Sequence, residues 1–211
     1  MPSIAVLLSG SGSNLQALLD AQAAGELAGE VTLVVSDRAQ AYGLQRALKA
    51  GIAAAHVPLS APRGPLRQQW ERRLAGVVAC FDPDLIVLAG FMRVLSAAFL
   101  EQFPNRVINQ HPALLPTDGG DTVTTSSGIV IPALRGAHVV ADAIRLGLPV
   151  TGCTIHRVTP RVDDGPILAS AEVPVMPGDT VESLHERIKV VERRLIVVTV
   201  NRLLGGKTRR E

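Results

Sequence analysis

The chain has 211 residues, 47% of them hydrophobic, with 21 Lys and Arg against 19 Asp and Glu. That length and apolar content suffice for one large domain with a sizeable core and exclude a disordered chain. A formal net charge of +2 gives no field of the kind that binds nucleic acid or a membrane surface, and no apolar stretch reaches the roughly 18 residues that a spanning helix needs.

Residues 4–8, Ile-Ala-Val-Leu-Leu, are apolar without alternation, the mark of a strand covered on both faces. Small polar residues follow, and from Asn14 the apolar positions Leu15, Leu18 and Leu19 recur at helical spacing until Gly25 stops them. The alternation repeats through a strand at 31–35, a helix at 41–49, a strand at 53–57 stopped by Pro58, a helix at 66–79 and the apolar strand 85–88. A helical turn around 97–102 and a strand at 106–109 complete the series, which predicts an α/β fold with a doubly wound, mostly parallel, Rossmann-like sheet. Residues 117–128 are Gly, Asp, Ser and Thr with a single Val and read as a mobile loop, although Ile129-Val130-Ile131 has the composition to dock on the body or pair with a strand edge. A helix at 137–146 follows, and 150–158 and 166–173 read as an antiparallel pair that makes the sheet mixed. Asp179-Thr180-Val181-Glu182 starts the last helix, with Leu184, Ile188, Val191, Leu195 and Val198 as its apolar stripe. With no repeat and no Pro- or Ser-rich linker, one domain over 1–206 is expected, with a basic tail at 207–211.

Three segments have the residue types of a chemical site. Ser9-Gly10-Ser11-Gly12-Ser13-Asn14 lies between a strand and a helix, where backbone N–H groups and the positive helix end cradle an anion. It lacks the glycine spacing of a dinucleotide fingerprint and the Lys-Ser/Thr of a P-loop, so a single phosphate suits it; the plain alternative is an ordinary turn. In Asn109-Gln110-His111-Pro112, strand alternation points Asn109 and His111 to one side, an amide donor beside an imidazole that moves protons near neutral pH. A lone His there can equally be structural. Asp163-Asp164-Gly165-Pro166 is a turn by composition, and one of its two acids could face inward. Cys80 and Cys153 are far apart and the five His residues match no metal-ligand spacing, so neither a disulfide framework nor a metal site is expected. A reducing cytoplasm fits best, and Met1-Pro2-Ser3, with no basic region ahead of its apolar run, gives no expectation of export.

Four motifs together resemble the phosphoribosylglycinamide formyltransferase family: the Ser9 to Asn14 loop, Ala89-Gly90-Phe91-Met92-Arg93-Val94-Leu95, Asn109-Gln110-His111-Pro112-Ala113-Leu114-Leu115-Pro116, and Val162-Asp163-Asp164-Gly165-Pro166. The resemblance covers nearly the whole chain. It implies formyl transfer from 10-formyltetrahydrofolate, as co-substrate and without a metal, to the amine of glycinamide ribonucleotide in purine biosynthesis, by a cytoplasmic monomer or homodimer. It further implies that 1–105 handle the nucleotide phosphate and 106–206 the folate and the chemistry. By the same resemblance, Asn109, His111 and Asp163 are catalytic, Gly12, Ser13 and Asn14 bind the phosphate, and Glu192 addresses the glycinamide end, its plain alternative being a solvated acid between Lys189 and Arg193. Phe91, Met92, Arg93, Val94, Leu95 and Val158 line the folate cleft, with Thr154 and His156 behind it; without the resemblance Phe91 and Met92 would read as core. Members usually run from the Leu-Leu-Pro into a short Phe-Pro-Gly-like stretch. Here Leu134-Arg135-Gly136-Ala137-His138 takes that place after an insertion at 117–132, expected to alter closure over the folate without contributing a catalytic group. The insertion motivates two alternatives: formyl transfer to a different amine, or an impaired nucleotide- or folate-binding homologue.

Overall fold

The structure, a computed structural model, describes residues 1–59 and 61–205. The basic tail expected at 207–211 lies outside the described residues. Strands β1 (Ser3–Leu8), β2 (Glu30–Ser36), β3 (Ala53–His56), β4 (Leu85–Leu88) and β5 (Val107–His111) are mutually parallel, and β8 (Val150–Arg157) and β9 (Ile167–Pro174) add antiparallel to one side. The seven strands run in the order β3-β2-β1-β4-β5-β8-β9. Chain order reverses between β1 and β4, and in open sheets of this kind ligands bind in the crevice beyond the strand ends at that point.

The residues account for the burial. Val6 and Leu8 on one face of β1 meet helix α1 (Ser13–Ala23) and the last helix, α6 (Val181–Gly205), through Leu15, Leu18, Ile196 and Val200. Ala5 and Leu7 on the other face meet α3 (Gly64–Ala79) through Trp70, Leu74 and Val78. Continuous apolar runs are what a strand covered on both faces requires. The Trp70 indole N–H donates to the Val57 carbonyl at 2.8 Å, so even this large core residue leaves no polar atom unpaired. Helix α2 (Tyr42–Lys49) packs on β2 and β3, the short α4 (Ala97–Leu100) follows β4, and α5 (Val139–Arg145) joins a third cluster beneath β8 and α6.

Two expectations need correcting. Residues 117–128, expected as a mobile loop, instead hold β6 (Thr122–Thr124), which pairs antiparallel with β7 (Val130–Pro132), within the run Ile129-Val130-Ile131 read as able to dock or pair, and the hairpin closes through Gly128, whose φ is +82°. Ile131 and Thr125 are buried, and the tip is tied to the edge strand β9 by the Ser126 N–H and hydroxyl, both donating to the Glu172 carboxylate. The alternation of Thr122-Val123-Thr124 and the β-branched run Ile129-Val130-Ile131 supply the strand propensity that the intervening Ser and Gly obscure. On α6, Val198 is exposed, whereas the buried face passes through Leu184, Ile188, Glu192, Ile196, Val200 and Leu204. The expected stripe follows a heptad spacing, and a straight helix drifts by about 20° per heptad from that spacing.

Candidate active site

A cleft of about 610 Å³ opens at the ends of β1, β4 and β5, lined by the loops that follow them, by the 158–163 turn and by one face of α6. Each wall has a local cause. Gly12 caps α1 with φ +70°, a left-handed conformation that glycine adopts without penalty, and a Cβ there would stand 2.8 Å from the Gly43 Cα. No side chain caps α1, so the N–H groups of its first turn are left at the cleft that Gly12, Ser13 and Asn14 line. Asn14 turns its side chain inward, donating from Nδ2 to Glu192 Oε2 at 3.3 Å, so its backbone and not its amide is what remains for an anion. Glu192 is only 4% exposed, which removes the reading of a solvated surface acid.

Beyond β4, Phe91 and Leu95 are buried in the core, with Phe91 stacked on Trp70 at 6.4 Å between ring centroids. Their backbones line the cleft while their side chains anchor the loop. Met92 and Val94, between them, are exposed, so the reading of Met92 as core does not hold. The loop is fastened to β1 and β2 through a buried acid: the Ser9 hydroxyl donates to Asp37 Oδ1 at 2.6 Å and accepts from the Met92 N–H at 2.9 Å, while Arg93 Nε donates to Asp37 Oδ2 at 2.6 Å. Asp37 carried no recognisable signal in the sequence. Val158 completes this wall, packed on the core beneath the loop.

At the floor, Asn109 and His111 emerge from β5 on one side, as strand alternation requires, and meet Asp163. Asp163 sits in a turn that the sequence forces into an unusual shape. Its own φ is +51°, tolerated by Asp, and a Cβ on Gly165 would fall 1.8 Å from the Arg157 carbonyl oxygen, so only glycine fits there. The turn aims Asp163 inward, with Oδ2 3.4 Å from His111 Nδ1, while Asp164 pairs outward with Arg161 at 3.0 Å. Asn109 Nδ2 donates to Asp163 Oδ1 at 3.4 Å and faces His156 Nε2 at 3.1 Å. The carboxylate fixes the amide's orientation, because the opposite flip would set oxygen against oxygen. His156, buried on β8 and expected only behind the cleft, is thus part of the cluster, with its Nδ1 bonded to the Arg157 carbonyl at 2.9 Å. Thr154 does stay behind, bridging the Ala113 carbonyl and the Leu115 N–H.

The segment after the hairpin closes the ring. Leu134 offers its carbonyl to His111 Nε2 at 2.7 Å, and the Gly136 N–H donates to Asp163 Oδ2 at 2.9 Å. A carbonyl only accepts, so Nε2 carries the proton and a neutral His111 keeps its lone pair on Nδ1, toward Asp163. Burial pushes the His111 pKa below its ordinary value against the pull of Asp163. For Asp163, burial opposes ionisation, but the nearness of His156 and His111 and the hydrogen bond from the Gly136 N–H outweigh it and hold the carboxyl below its usual range. The resting pair is therefore a carboxylate beside a neutral imidazole, and the acceptors on both ring nitrogens are ready for an imidazolium. Among the described residues, no group of three or more His, Cys, Asp or Glu side chains is placed to hold a metal ion.

Residues 3–200 match the family model described as formyl transferase. The chain belongs to the formyl transferase family. Within it, the chain is similar to the phosphoribosylglycinamide formyltransferase of Mycobacterium tuberculosis (strain CDC 1551 / Oshkosh), with 43% identity over 93% of this chain and 82% of that protein. The Escherichia coli (strain K12) protein of that name is 36% identical over 97% of this chain and 88% of its own length. Among solved structures, glycinamide ribonucleotide transformylase 1 from Symbiobacterium toebii superposes with a TM-score of 0.86 and 41% identity, over all of this formyl transferase and 91% of that chain. The mixed α/β sheet is thus the architecture of the family.

Proposed function

We propose that this formyl transferase moves the formyl group of 10-formyltetrahydrofolate to the primary amine of glycinamide ribonucleotide, a step of purine biosynthesis. The observation that carries the reading is the meeting of Asn109, His111 and Asp163 on the floor of a cleft whose far wall is the uncapped start of α1. The substrate phosphate would rest on the N–H groups of Gly12, Ser13 and Asn14, where the helix end favours a dianion, and Glu192 would face the glycinamide end. The backbone of 91–95 and the segment at 158–163 would hold the folate, with Arg93 kept in place by Asp37.

The neutral amine attacks the formyl carbon, forming the new C–N bond and an alkoxide. Asn109 donates to that oxygen once one of its N–H groups leaves Asp163 or His156. His111, neutral at rest, takes up a proton as the amine loses one, and the imidazolium is then bonded to both Leu134 and Asp163. Collapse returns the carbonyl, breaks the bond to N10 and delivers the proton to that nitrogen, through water and Asp163; no covalent link to the protein is required. The free thiols Cys80 and Cys153 suit a reducing cytoplasm, and the chain would act as a monomer or homodimer.

The test is deformylation of 10-formyltetrahydrofolate followed by absorbance with glycinamide ribonucleotide present. Asn109→Ala, His111→Ala and Asp163→Asn should each lower turnover on the order of 10²–10³-fold, with circular dichroism unchanged. A parent protein that transfers no formyl group to this acceptor, or folded variants as fast as the parent, would refute the reading.

A further inference from the structure

The loop between β1 and α1 is held from its outer side by α2. The Gly43 N–H donates to the Gly10 carbonyl at 3.1 Å, and Arg46, further along α2, donates from Nε to the Ser11 carbonyl at 2.9 Å. The Gly43 contact needs glycine, because a Cβ there would run into the Leu8 side chain. Arg46 is itself fixed by two further contacts. Its Nη1 donates to Gln16 Oε1 at 2.7 Å, and its guanidinium lies over the Tyr42 ring, 4.8 Å from the centroid. Arg46 is not among the residues that line the cleft.

A trans peptide points its C=O and the following N–H in opposite directions, and no peptide bond is cis among the described residues. The Gly10 and Ser11 carbonyls turn toward α2, so the N–H groups of Ser11 and Gly12 turn away from it. Helix α2 packs on β2 and β3, while β4 and β5 lie on the opposite side of β1. Away from α2 is therefore across β1, toward the cleft that Ser11 and Gly12 line. Neither N–H donates to another backbone group among the described residues. Glycines at 10 and 12 give the peptides between them the freedom to flip, and a flipped Ser11 carbonyl would present an oxygen to an anion in place of a donor. The bond from Arg46 opposes that flip, since it would leave the guanidinium without its acceptor.

We propose that Arg46 is a positioning residue for the acceptor's phosphate: by holding the Ser11 carbonyl it keeps the Gly12 N–H turned into the cleft, where that donor joins those of Ser13 and Asn14. This rests on the reading given under Proposed function and adds to it the group that sets the cradle's donors in place. Arg46 acts without touching the phosphate. Its guanidinium is committed to a carbonyl, a side-chain amide and a ring, so its effect passes through the shape of the loop. A fixed loop acts at any ionic strength, whereas a distant charge acts only where salt leaves it unscreened.

The test compares the parent with Arg46→Met, which keeps an unbranched stem and loses the donors, and with Arg46→Lys, which keeps the charge and places a carbon where Nε stands. Formyl transfer gives the KM for glycinamide ribonucleotide, and ribose 5-phosphate, a probe with the phosphate and no amine, gives an inhibition constant. In Arg46→Met both constants should rise on the order of tenfold, with kcat and the KM for 10-formyltetrahydrofolate as in the parent. The ratio to the parent should be the same at about 0.05 M and about 0.5 M KCl. Arg46→Lys should show a smaller rise of the same kind, and it carries the test alone if the methionine variant does not fold. Three results would overturn the proposal: an acceptor KM unchanged in the variants, a ratio that falls to one in the higher salt, or equal rises in both KM values. They would show, in turn, no role, a role of charge alone, and a general loosening of the fold. A parent that formylates no glycinamide ribonucleotide brings down the proposed function. The inference is then decided by whether ribose 5-phosphate raises the melting temperature of the parent more than that of the variants; an equal shift, or none, brings it down as well.

Discussion

His111, held neutral by burial between a carbonyl and a carboxylate, makes the folded state sensitive to acid in a definite direction. Its pKa is lowered from an ordinary value of 6.5, so as the pH falls below that value the unfolded chain binds a proton that the folded chain resists, and stability drops. Asp163 acts with the same sign at lower pH: its carboxyl is held below the ordinary value of 3.8, so its contribution disappears only as the pH falls through the carboxylate range. The melting temperature of the parent should therefore decline more steeply between pH 6.5 and about pH 5 than that of His111→Asn, which has no imidazole to titrate. Parallel curves would mean that His111 is not buried neutral. The orientation of Asn109 and His111 was readable in advance, because a strand alternates with a period of two whatever surrounds it. His156 was not, since its place depends on the register that sets it opposite Asn109 across two strands far apart in sequence. Asp37 escaped for a similar reason, its partners Ser9 and Arg93 being brought together only by the sheet.

Among the elements, the β6-β7 hairpin changes what the 117–132 segment is for. The Arg135 guanidinium donates to the Gly119 and Gly120 carbonyls, so the base of the hairpin is fixed to the residues that lead directly to Leu134 and Gly136, the partners of His111 and Asp163. No residue of 117–132 is among those that line the cleft, yet the segment braces the backbone of Leu134 and Gly136. Replacing Glu172 by Ala should release the hairpin tip, with amide exchange at Ser126 faster by roughly tenfold and a smaller rise at Gly136; exchange unchanged at both positions would show that the tip is held by packing alone. The central strands and most helices could be placed within a residue or two because their periodicity and their Gly and Pro stops are local signals. The hairpin and the buried stripe of α6 could not. A Ser/Thr/Gly-rich turn conceals short strands, and a long helix drifts away from the heptad that its first turns suggest.

Across the molecule, burial is graded from the centre of the sheet to its edges. Every residue from Ile4 to Leu8 is fully buried, whereas the edge strand β3 exposes Ala53 and His56. Amides of β1 and β4 should thus exchange only through global unfolding, and those of β3 through cheaper local opening, so that added denaturant accelerates the first set far more strongly than the second. Equal dependence in both would indicate a single cooperative unit. The bond from Asn14 to Glu192 also ties the start of the first helix to the last, across nearly the whole chain. During synthesis, Leu15 and Leu18 must wait for Ile196 and Val200, and at 5–20 residues per second that interval is roughly 10–40 s. Throughout it, the emerging polypeptide displays a sticky helix face beside a cleft that lacks one wall, so a chain stalled before α6 is an aggregation-prone fragment, and the cleft is the last part of the molecule to come into being.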